Sequence, residues 1–381
     1  MRFGNPLQHG DSKWWLVAVF YCIVLNAWSQ AVDVSEGLRI MADRTTGNCV
    51  SCHEIPAWRD PSQSTNRLSL QGNFGPSLQG VGTRYTKEQL LQWVKDARVI
   101  RPHTWMPPYG SIDNLNLPAR SQHLLTPAQI EAVVDALATF KQSSPLAPIE
   151  ATNPPATASG LVQLQSSQAM NPISLWTDEG KRKWEKDCQT CHTTEKVVKS
   201  VPNFPKLDSA QQLINLEDQI SICRQRVEKT SSRSAANLYN DDNTNLELSS
   251  FLHDAARHLS INIAPPTNTE SASVWKKHLA AGESLFQTRL GHMNLSCQQC
   301  HDGKLGASMR AQRITAGHPT GFPAYRISWQ GLGSMERRIR ACFSGVQAQV
   351  PAQQDIRLRQ LELYLKTRAQ GMPLEGPSIR Q

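Results

Sequence analysis

The sequence contains Cys49-Val50-Ser51-Cys52-His53, and the same Cys-x-x-Cys-His pattern returns as Cys188-Gln189-Thr190-Cys191-His192 and Cys297-Gln298-Gln299-Cys300-His301. Residues i and i+3 of a helical turn share a face, so the two thiols of each copy can add to the two vinyl groups of one haem. The histidine that follows can direct its imidazole at the iron. The sequence therefore predicts three covalently bound haem c groups, with His53, His192 and His301 as proximal ligands.

Zinc and disulfides are the two other common uses of such cysteine pairs. A structural zinc needs four protein ligands, and no second Cys-x-x-Cys or His-x-His pair accompanies any of the motifs. A disulfide inside Cys-x-x-Cys is strained and redox-active. We therefore favour haem for all three motifs.

The composition of the 381-residue chain is that of an ordinary globular protein, with 39% apolar and 19% charged residues. This composition excludes a disordered chain, collagen and a multi-span membrane protein. The net charge of +8 is spread without a run of five or more Lys or Arg, and aromatic residues make up only 7%. Nucleic-acid binding needs a concentrated basic surface, so we expect no nucleic-acid partner.

The N-terminus has the pattern of a secretory signal peptide. Arg2 and Lys13 precede an uncharged run from Trp14 to Trp28, and Ser29-Gln30-Ala31 offers a small-x-small cleavage site. The apolar run is too short for a permanent anchor. We expect residues 1–31 to be removed on export, which places a mature chain without a membrane span in the periplasm.

Two proline-rich breaks divide the rest of the chain. Residues 143–172 contain five prolines and a single charge, and we expect a partly extended linker there. A shorter break follows at Ala264-Pro265-Pro266-Thr267. The prediction is a mostly α protein with three cytochrome c-like haem domains, at residues 32–142, 173–263 and 268–381.

The end of the first domain is expected to be an amphipathic helix within Leu125–Lys141. Thr126 can cap its N-terminus, and Pro127 suits the first helical position. Four apolar residues then fall on one face, namely Ile130, Val133, Val134 and Leu137.

The second and third units look like copies of one fold. Each follows its motif with one more cysteine in a helix-like segment, Cys223 in the second unit and Cys342 in the third. An isoleucine stands at the third position before each of them, Ile220 and Ile339. A repeated cysteine after a repeated motif indicates duplication.

The residue opposite each proximal histidine distinguishes a carrier from a catalyst. In the first unit Met106 is followed by Pro107-Pro108, which forbid a helix and hold the thioether in a fixed loop. We expect Met106 to be the sixth ligand of the first haem. The alternative is a buried methionine that only fills space.

Cys223 and Cys342 are the expected axial ligands of the second and third haems. Thiolate ligation lowers the haem potential, and a thiolate beside iron is also a nucleophile. The alternative is one disulfide between Cys223 and Cys342, which would suit an exported protein. Their matching placement after the two motifs favours ligation.

Three arginines precede the last cysteine, Arg337, Arg338 and Arg340. Such a run is often only a solvated helix face. The guanidiniums could also favour the thiolate of Cys342 and attract an anionic substrate. On one helix, Arg338 lies one turn before Cys342 and shares its face.

Several segments resemble known families. Gly72-Asn73-Phe74-Gly75-Pro76-Ser77-Leu78 and Met106-Pro107-Pro108-Tyr109-Gly110 resemble SoxX, the single-haem subunit of the thiosulfate-oxidising system. The segment from Trp176 to Arg380 resembles the diheme partner SoxA, through His318-Pro319-Thr320-Gly321-Phe322-Pro323, Trp329-Gln330-Gly331-Leu332 and Arg340-Ala341-Cys342-Phe343-Ser344-Gly345. The chain looks like a natural SoxX–SoxA fusion.

The resemblance implies a reaction. SoxXA proteins couple thiosulfate oxidatively to a cysteine of SoxY, in the SoxYZ carrier complex, and pass two electrons to a c-type cytochrome. The resemblance also implies that Cys342 is a persulfide at the active-site haem, with Arg338 beside it, and that Cys223 is the distal ligand of the other SoxA haem.

One position departs from the family. Many relatives carry arginine where this chain has Gln347, and a lost cation would weaken anion binding. We expect another basic residue, Arg368 or Lys304, to compensate.

The expected activity is that of an L-cysteine S-thiosulfotransferase, with Cys342 and Arg338 at the site and the first haem as the electron exit. Two alternatives stay open. One is a thiosulfate dehydrogenase that forms tetrathionate, and the other is a non-enzymatic triheme electron carrier.

Overall fold

In the computed structural model, which describes residues 34–55, 71–141, 157–167, 170–227, 242–310 and 312–380, three pairs of helices meet backbone to backbone at a glycine. A Cβ at Gly37 would lie 2.1 Å from the carbonyl oxygen of Ala132, one at Gly180 would lie 1.9 Å from that of Glu247, and one at Gly282 would lie 2.0 Å from that of Gln360. A larger residue could not occupy these positions without separating the helices. One Cys-x-x-Cys-His motif lies between the partners of each pair in sequence.

Helices dominate the described part of the chain, as the sequence predicts. They are α1 (Ser35–Ala42), α2 (Val81–Arg84), α3 (Lys87–Ile100), α4 (Pro127–Ala138), α5 (Thr157–Ser166), α6 (Ser174–Lys183), α7 (Thr194–Val198), α8 (Leu216–Val227), α9 (Asn243–Ala255), α10 (Thr269–Gln287), α11 (Cys297–His301), α12 (Met335–Gly345) and α13 (Ile356–Arg368). Among them, none is long and apolar enough to cross a membrane. The expected signal peptide, residues 1–31, lies outside the described residues.

The strands are short. They are β1 (Lys206–Leu207), β2 (Leu213–Ile214), β3 (Ser308–Met309), β4 (Gln312–Arg313), β5 (Ala324–Arg326), β6 (Gly331–Gly333) and β7 (Ser378–Arg380). In the three-stranded sheet β5 is central, antiparallel to β6 and parallel to β7. Helix α12 starts directly after β6, where the Ser334 hydroxyl accepts a hydrogen bond from the backbone N–H of Arg337.

The predicted helix at the end of the first unit is confirmed as α4. The Thr126 hydroxyl accepts from the Gln129 N–H, the Gln129 side chain accepts from the Thr126 N–H, and Pro127 is the first helical residue. The predicted apolar face is buried: Ile130, Val133, Val134 and Leu137. This face packs in one core with Ile40 and Met41 of α1.

Helix α5 lies within the expected, partly extended linker at 143–172, so part of that segment is helical. Two leucines of α5 join an apolar cluster that contains Leu161, Leu164, Leu332 and Ile379. The Gln165 Oε1 also accepts a hydrogen bond of 3.1 Å from the Ile379 N–H. A strand from the C-terminus thus gives this segment a surface to fold on, and sequence composition does not reveal that partner.

An ionic cluster joins the second and third units. Arg359 on α13 is 2% exposed and donates to both carboxylate oxygens of Asp218 on α8. It donates to Glu336 on α12 as well. Asn215, at the start of α8, donates to Glu362 of α13 at 3.0 Å. Buried charges are tolerated when they are paired and hydrogen-bonded in this way.

A second part of this interface holds two buried carboxylates, those of Glu217 and Glu362, beside a single lysine, Lys366. Glu217 of α8 lines a small cavity with Glu362, Lys366 and His253, and it accepts a 2.7 Å hydrogen bond from Ser249. Burial is the main cause that raises the pKa of Glu217 to about 7, and the negative charge of Glu362 adds to this shift. Burial is the main cause that lowers the pKa of His253 to about 3, and the positive charge of Lys366 adds to this shift. His253 is therefore neutral at neutral pH.

Gly282→Ala tests the helix crossing. Alanine usually favours a helix interior over glycine, by up to about 1 kcal/mol, but here its Cβ would meet the Gln360 carbonyl oxygen at 2.0 Å. We expect a loss of about 1–3 kcal/mol. Gly345→Ala is the control, because no atom lies within 4 Å of a Cβ at that helical position. Circular dichroism measures the melting temperature of each variant. Equal melting temperatures for the two variants would contradict the close crossing.

Glu217→Gln tests the buried carboxylate. The pKa of Glu217 in the folded protein is raised above its ordinary value of 4.5, so its contribution to stability is complete below about pH 4.5 and is lost as the pH rises to about 7. The amide cannot titrate. We expect the variant to gain stability relative to the parent as the pH rises through this window.

Urea unfolding of parent and Glu217→Gln at about pH 4.5 and about pH 8 measures this difference. His253 is present in both proteins, so its own titration cancels in the comparison. A difference between the two proteins that is the same at both pH values would show that the pKa of Glu217 is equal in the folded and unfolded states.

Candidate haem sites

The first motif has a histidine that is anchored for metal binding. The Nδ1 of His53 lies 2.6 Å from the carbonyl oxygen of Pro76. A carbonyl only accepts, so Nδ1 carries the proton and Nε2 is left as the ligand atom. Gly75 packs against the ring, where a Cβ would come within 2.5 Å of Cε1. Burial lowers the pKa of His53, which keeps the imidazole in the neutral form that binds iron.

The loop that carries Met106 comes to the cysteines of the same motif. Met106 and Cys49 pack against one core, and Tyr109, which is 4% exposed, shares a hydrogen bond with Cys49. The Thr104 hydroxyl accepts a 3.1 Å hydrogen bond from the Met106 N–H and shapes the loop. Burial raises the pKa of Cys49 to about 11 and that of Cys52 to about 12, so both are neutral thiols.

The second motif brings Cys188 and Cys223 together. Burial is the main cause that raises the pKa of Cys188 to about 11, and the charge of Cys223 on α8 adds to it. Gln219, one turn before Cys223, lies with its Nε2 3.4 Å from the Cys223 sulfur. The expected ligand helix therefore faces the expected attachment site.

His192 differs from the other two motif histidines. Both His192 and Cys191 are exposed. In the part of the chain that the structure describes, no hydrogen bond is formed to the His192 ring, whereas the Nδ1 atoms of His53 and His301 are both held by carbonyl oxygens. The second site is thus more open than the first and third.

The third motif repeats the anchoring of the first. The Nδ1 of His301 lies 2.6 Å from the carbonyl oxygen of Thr315. Gly317, with φ +74°, packs against the ring, and a Cβ there would lie 2.9 Å from Nδ1. Burial lowers the pKa of His301. The helical turn α11 begins at the Ser296 cap, which is reciprocated by Gln299.

Helix α12, which carries Cys342, packs against the first cysteine of this motif, because Cys297 joins the core cluster of Ile339 and Phe343. Burial raises the pKa of Cys297 to about 12 and that of Cys300 to about 11, and Cys342 lies close enough to contribute to both shifts. Cys223 and Cys342 are both free thiols, and each lies with the cysteines of its own motif. The alternative of one disulfide between them is therefore wrong.

The arginine run before Cys342 splits into two groups. Arg337 and Arg340 donate to backbone carbonyls at 3.3 and 3.0 Å. Arg338 instead acts electrostatically on His301 and on Arg326. Sequence reasoning missed Arg326, which precedes Cys342 by a strand and a turn and reaches the site only through the fold of the sheet.

Arg368 and Lys304, the two residues expected to compensate for the arginine that is replaced by Gln347, lie in different places. Arg368 pairs with Asp302 at 2.6 Å, and its charge acts on His301. Lys304 lies 5.8 Å from the ring centroids of two aromatic residues of the first unit. Of the two, Arg368 has the position closer to the chemistry of the third motif.

The first and third motifs meet across a direct contact between their units. The Arg310 guanidinium donates to Ser51 Oγ at 2.9 Å, to Asn48 Oδ1 at 2.7 Å and to the Ala42 carbonyl at 2.9 Å. Cys52 and Cys300 are close enough for one charge to act on the other. Trp105, next to Met106, packs against Gly303, where a Cβ would lie 2.6 Å from Cη2.

These residues fit haem c at the first and third motifs. Each has two cysteines on a helical turn, a neutral imidazole held at Nδ1, and a sulfur-bearing side chain that approaches from a separate element. This is the donor set of a c-type cytochrome.

Known proteins agree with that class. Residues 281–374 match the family described as SoxA/TsdA, cytochrome c domain. The chain is 28% identical over 234 residues to the L-cysteine S-thiosulfotransferase subunit SoxA of Pseudaminobacter salicylatoxidans, which covers 58% of this chain and 77% of the relative. Its identity to the subunit of the same name from Paracoccus pantotrophus is 26% over 222 residues, or 55% and 72% of the two chains.

The crystal structure of SoxXA from P. pantotrophus has a similar fold. The TM-score is 0.52 at 23% identity, over 59% of this chain and 84% of that chain. Together these matches show a SoxA/TsdA-type cytochrome c domain at residues 281–374 and a similarity to SoxA over about 58% of the chain.

Met106→Ala tests the sixth ligand of the first site. If the Met106 sulfur binds the iron, the variant should lose the weak far-red absorption band of a methionine-ligated ferric haem and lower the reduction potential of that haem. Met41→Leu is the matched control, because Met41 is fully buried in the same core but lies on α1. An unchanged band in Met106→Ala would assign Met106 to packing alone.

Proposed function

We propose that the chain is a periplasmic triheme cytochrome in which a SoxX-like unit, residues 32–142, is fused to SoxA-like units at 173–263 and 268–381. It acts as an L-cysteine S-thiosulfotransferase. Thiosulfate is the substrate, the carrier cysteine of SoxY in SoxYZ is the acceptor, and a c-type cytochrome receives the electrons. The packing of α12, the helix that carries Cys342 and its three arginines, against Cys297 of the third motif is the observation that carries the proposal.

The repeated helix crossing supports one haem for each unit. The glycine contact recurs around each motif at nearly the same distance: a Cβ built on the glycine would lie between 1.9 and 2.1 Å from a carbonyl oxygen of the facing helix. In each unit the two crossing helices come from either side of the motif in sequence, so they close the same kind of fold around it. The contact between Arg310 and the turn of the first motif supports the fusion as one working unit.

The residues of the third site suggest the order of events. Arg338 and its neighbours draw the thiosulfate dianion to Cys342. The Cys342 sulfur forms a bond to the sulfane sulfur of thiosulfate as two electrons leave. Haem bound at these motifs would supply one-electron acceptors for this oxidation.

Transfer to the carrier then needs no further oxidant. The carrier thiolate attacks the sulfane sulfur, the bond to Cys342 breaks, and the Cys342 sulfur leaves as a thiolate. In total, thiosulfate and the carrier thiol give the carrier S-thiosulfonate, one proton and two electrons. The resemblance to SoxA suggests that the reactive atom on Cys342 is a persulfide sulfur, and the same balance holds for it.

The arrangement of the first unit suits an electron exit. Cys52 and Cys300 are neighbours across the unit contact, so the edges of the two attachment sites approach each other. Methionine ligation at Met106 would raise the potential of the first haem above that of a cysteine-ligated one, which favours electron flow towards it.

Cys342→Ala tests the proposal directly. The variant should lose at least about a thousandfold of the thiosulfate conjugation rate, because the group that forms the sulfur–sulfur bond is gone. Intact mass of SoxY after incubation with thiosulfate, SoxZ and an oxidised c-type cytochrome measures conjugation. Ser344→Ala, at an exposed position on the same helix, is the control. Conjugation by Cys342→Ala at the control rate would overturn the proposal, provided that haem content is equal.

A thiosulfate dehydrogenase is the second candidate, because the matching family description covers both SoxA and TsdA. The two activities differ in product. Tetrathionate formed by the protein alone, without SoxYZ, would favour the dehydrogenase. A plain electron carrier predicts no product of either kind and no extra sulfur on Cys342.

A further inference from the structure

Arg326 is a buried cation without an anionic partner among the described residues. The residue is 7% exposed, and its Nε is buried with no hydrogen-bond partner. Its Cζ lies 5.2 Å from the ring centroid of Trp329, so one face of the guanidinium is covered by an aromatic ring. A charge that is taken out of water and left unpaired is costly, and it calls for an explanation.

Arg359 shows how the same unit treats another buried arginine. It is 2% exposed, and its guanidinium donates to Asp218 and Glu336, so its charge is balanced twice over. Arg326 has no such pair in the described part of the chain. The difference is therefore specific to the Cys342 site and is not a general feature of this core.

The groups that act on Arg326 are cations and one sulfur. Arg338 comes from α12 and Arg380 from β7, where it stands opposite Arg326 in the parallel register. Burial is the main cause that lowers the pKa of Arg326 to about 10, and repulsion by Arg338 adds to this shift. Cys342 acts in the opposite direction. Arg380 is itself paired with Glu375 at 3.7 Å, whereas Arg326 and Arg338 have no carboxylate partner among the described residues.

We propose that Arg326 is an oxyanion-binding residue of the Cys342 site and that Arg338 completes the cradle. A guanidinium presents parallel N–H donors that match two oxygens of a sulfonate or a carboxylate. Two sources offer such oxygens, namely the sulfonate end of thiosulfate and a propionate of a haem at the third motif. The first source rests on the proposed function, and binding through the sulfonate would leave the sulfane sulfur free to meet Cys342.

Arg326→Gln, Arg326→Lys and the control Arg340→Gln test this site in the haem-loaded protein. Arg340 lies on the same helix as Cys342, but its Nε is held by a backbone carbonyl at 3.0 Å. The probe is sodium sulfate at constant ionic strength, an unreactive dianion with the same kind of oxygens. Calorimetry gives its affinity, circular dichroism the melting temperature, and potentiometry the haem midpoint potentials.

If the oxyanion is the sulfonate, Arg326→Gln weakens sulfate binding by about tenfold or more. Its melting temperature without sulfate stays the same or rises, because an unpaired buried charge has been removed. Arg326→Lys recovers part of the affinity, since it keeps the charge but loses the fork of donors.

If the oxyanion is a haem propionate, Arg326→Gln leaves sulfate affinity within about twofold. Instead it lowers the melting temperature and shifts the midpoint potential of one haem, because a buried carboxylate has lost its cation. Either pattern supports the oxyanion role and identifies its source.

The proposal is overturned if Arg326→Gln matches Arg340→Gln in all three measurements. It is also overturned if only the melting temperature falls, since that assigns Arg326 to packing. None of these measurements uses SoxYZ or turnover. If the oxyanion-binding proposal fails, the proposed thiosulfate conjugation is unaffected, because the conjugation assay tests it separately.

Discussion

The backbone contact between α10 and α13 at Gly282 is the constraint on which the third site depends. Helix α10 leads to the third motif, and α13 packs in one core with α12, the helix that carries Cys342. Because the contact at Gly282 leaves no room for a side chain, the two sides of the site have a fixed separation. A haem held between His301 and Cys342 would need its two axial ligands at a set distance, and this crossing would fix that distance from the scaffold.

The second and third units keep the same frame but differ in what surrounds it. Alignment of the two glycine contacts places Ser249 and His253 of α9 at the positions of Glu362 and Lys366 on α13. In the described structure these four residues lie together at the interface between the units. The His192 site of the second unit is exposed, whereas the Cys342 site of the third unit lies near Arg326 and Arg338.

Much of this account could be predicted from the sequence, because thioether attachment demands a fixed local spacing. The motifs, Met106 in its proline-held loop and the repeated cysteines all follow from short-range pattern. Arg326 could not be predicted, since its place depends on the parallel pairing of β5 with the C-terminal strand β7. Helix α5 and the Glu217 cluster were hidden for the same reason, because their partners lie far away in the chain.

The central claim is that Cys342 forms the bond to thiosulfate. Oxidised, haem-loaded protein can be mixed with isotopically labelled thiosulfate in the absence of carrier, quenched in acid, and analysed by peptide mass. The account predicts a thiosulfonate adduct on the peptide that contains Cys342, with two electrons appearing in the haems for each adduct. Reduction of the haems with no label on that peptide, and with tetrathionate in solution, would contradict it.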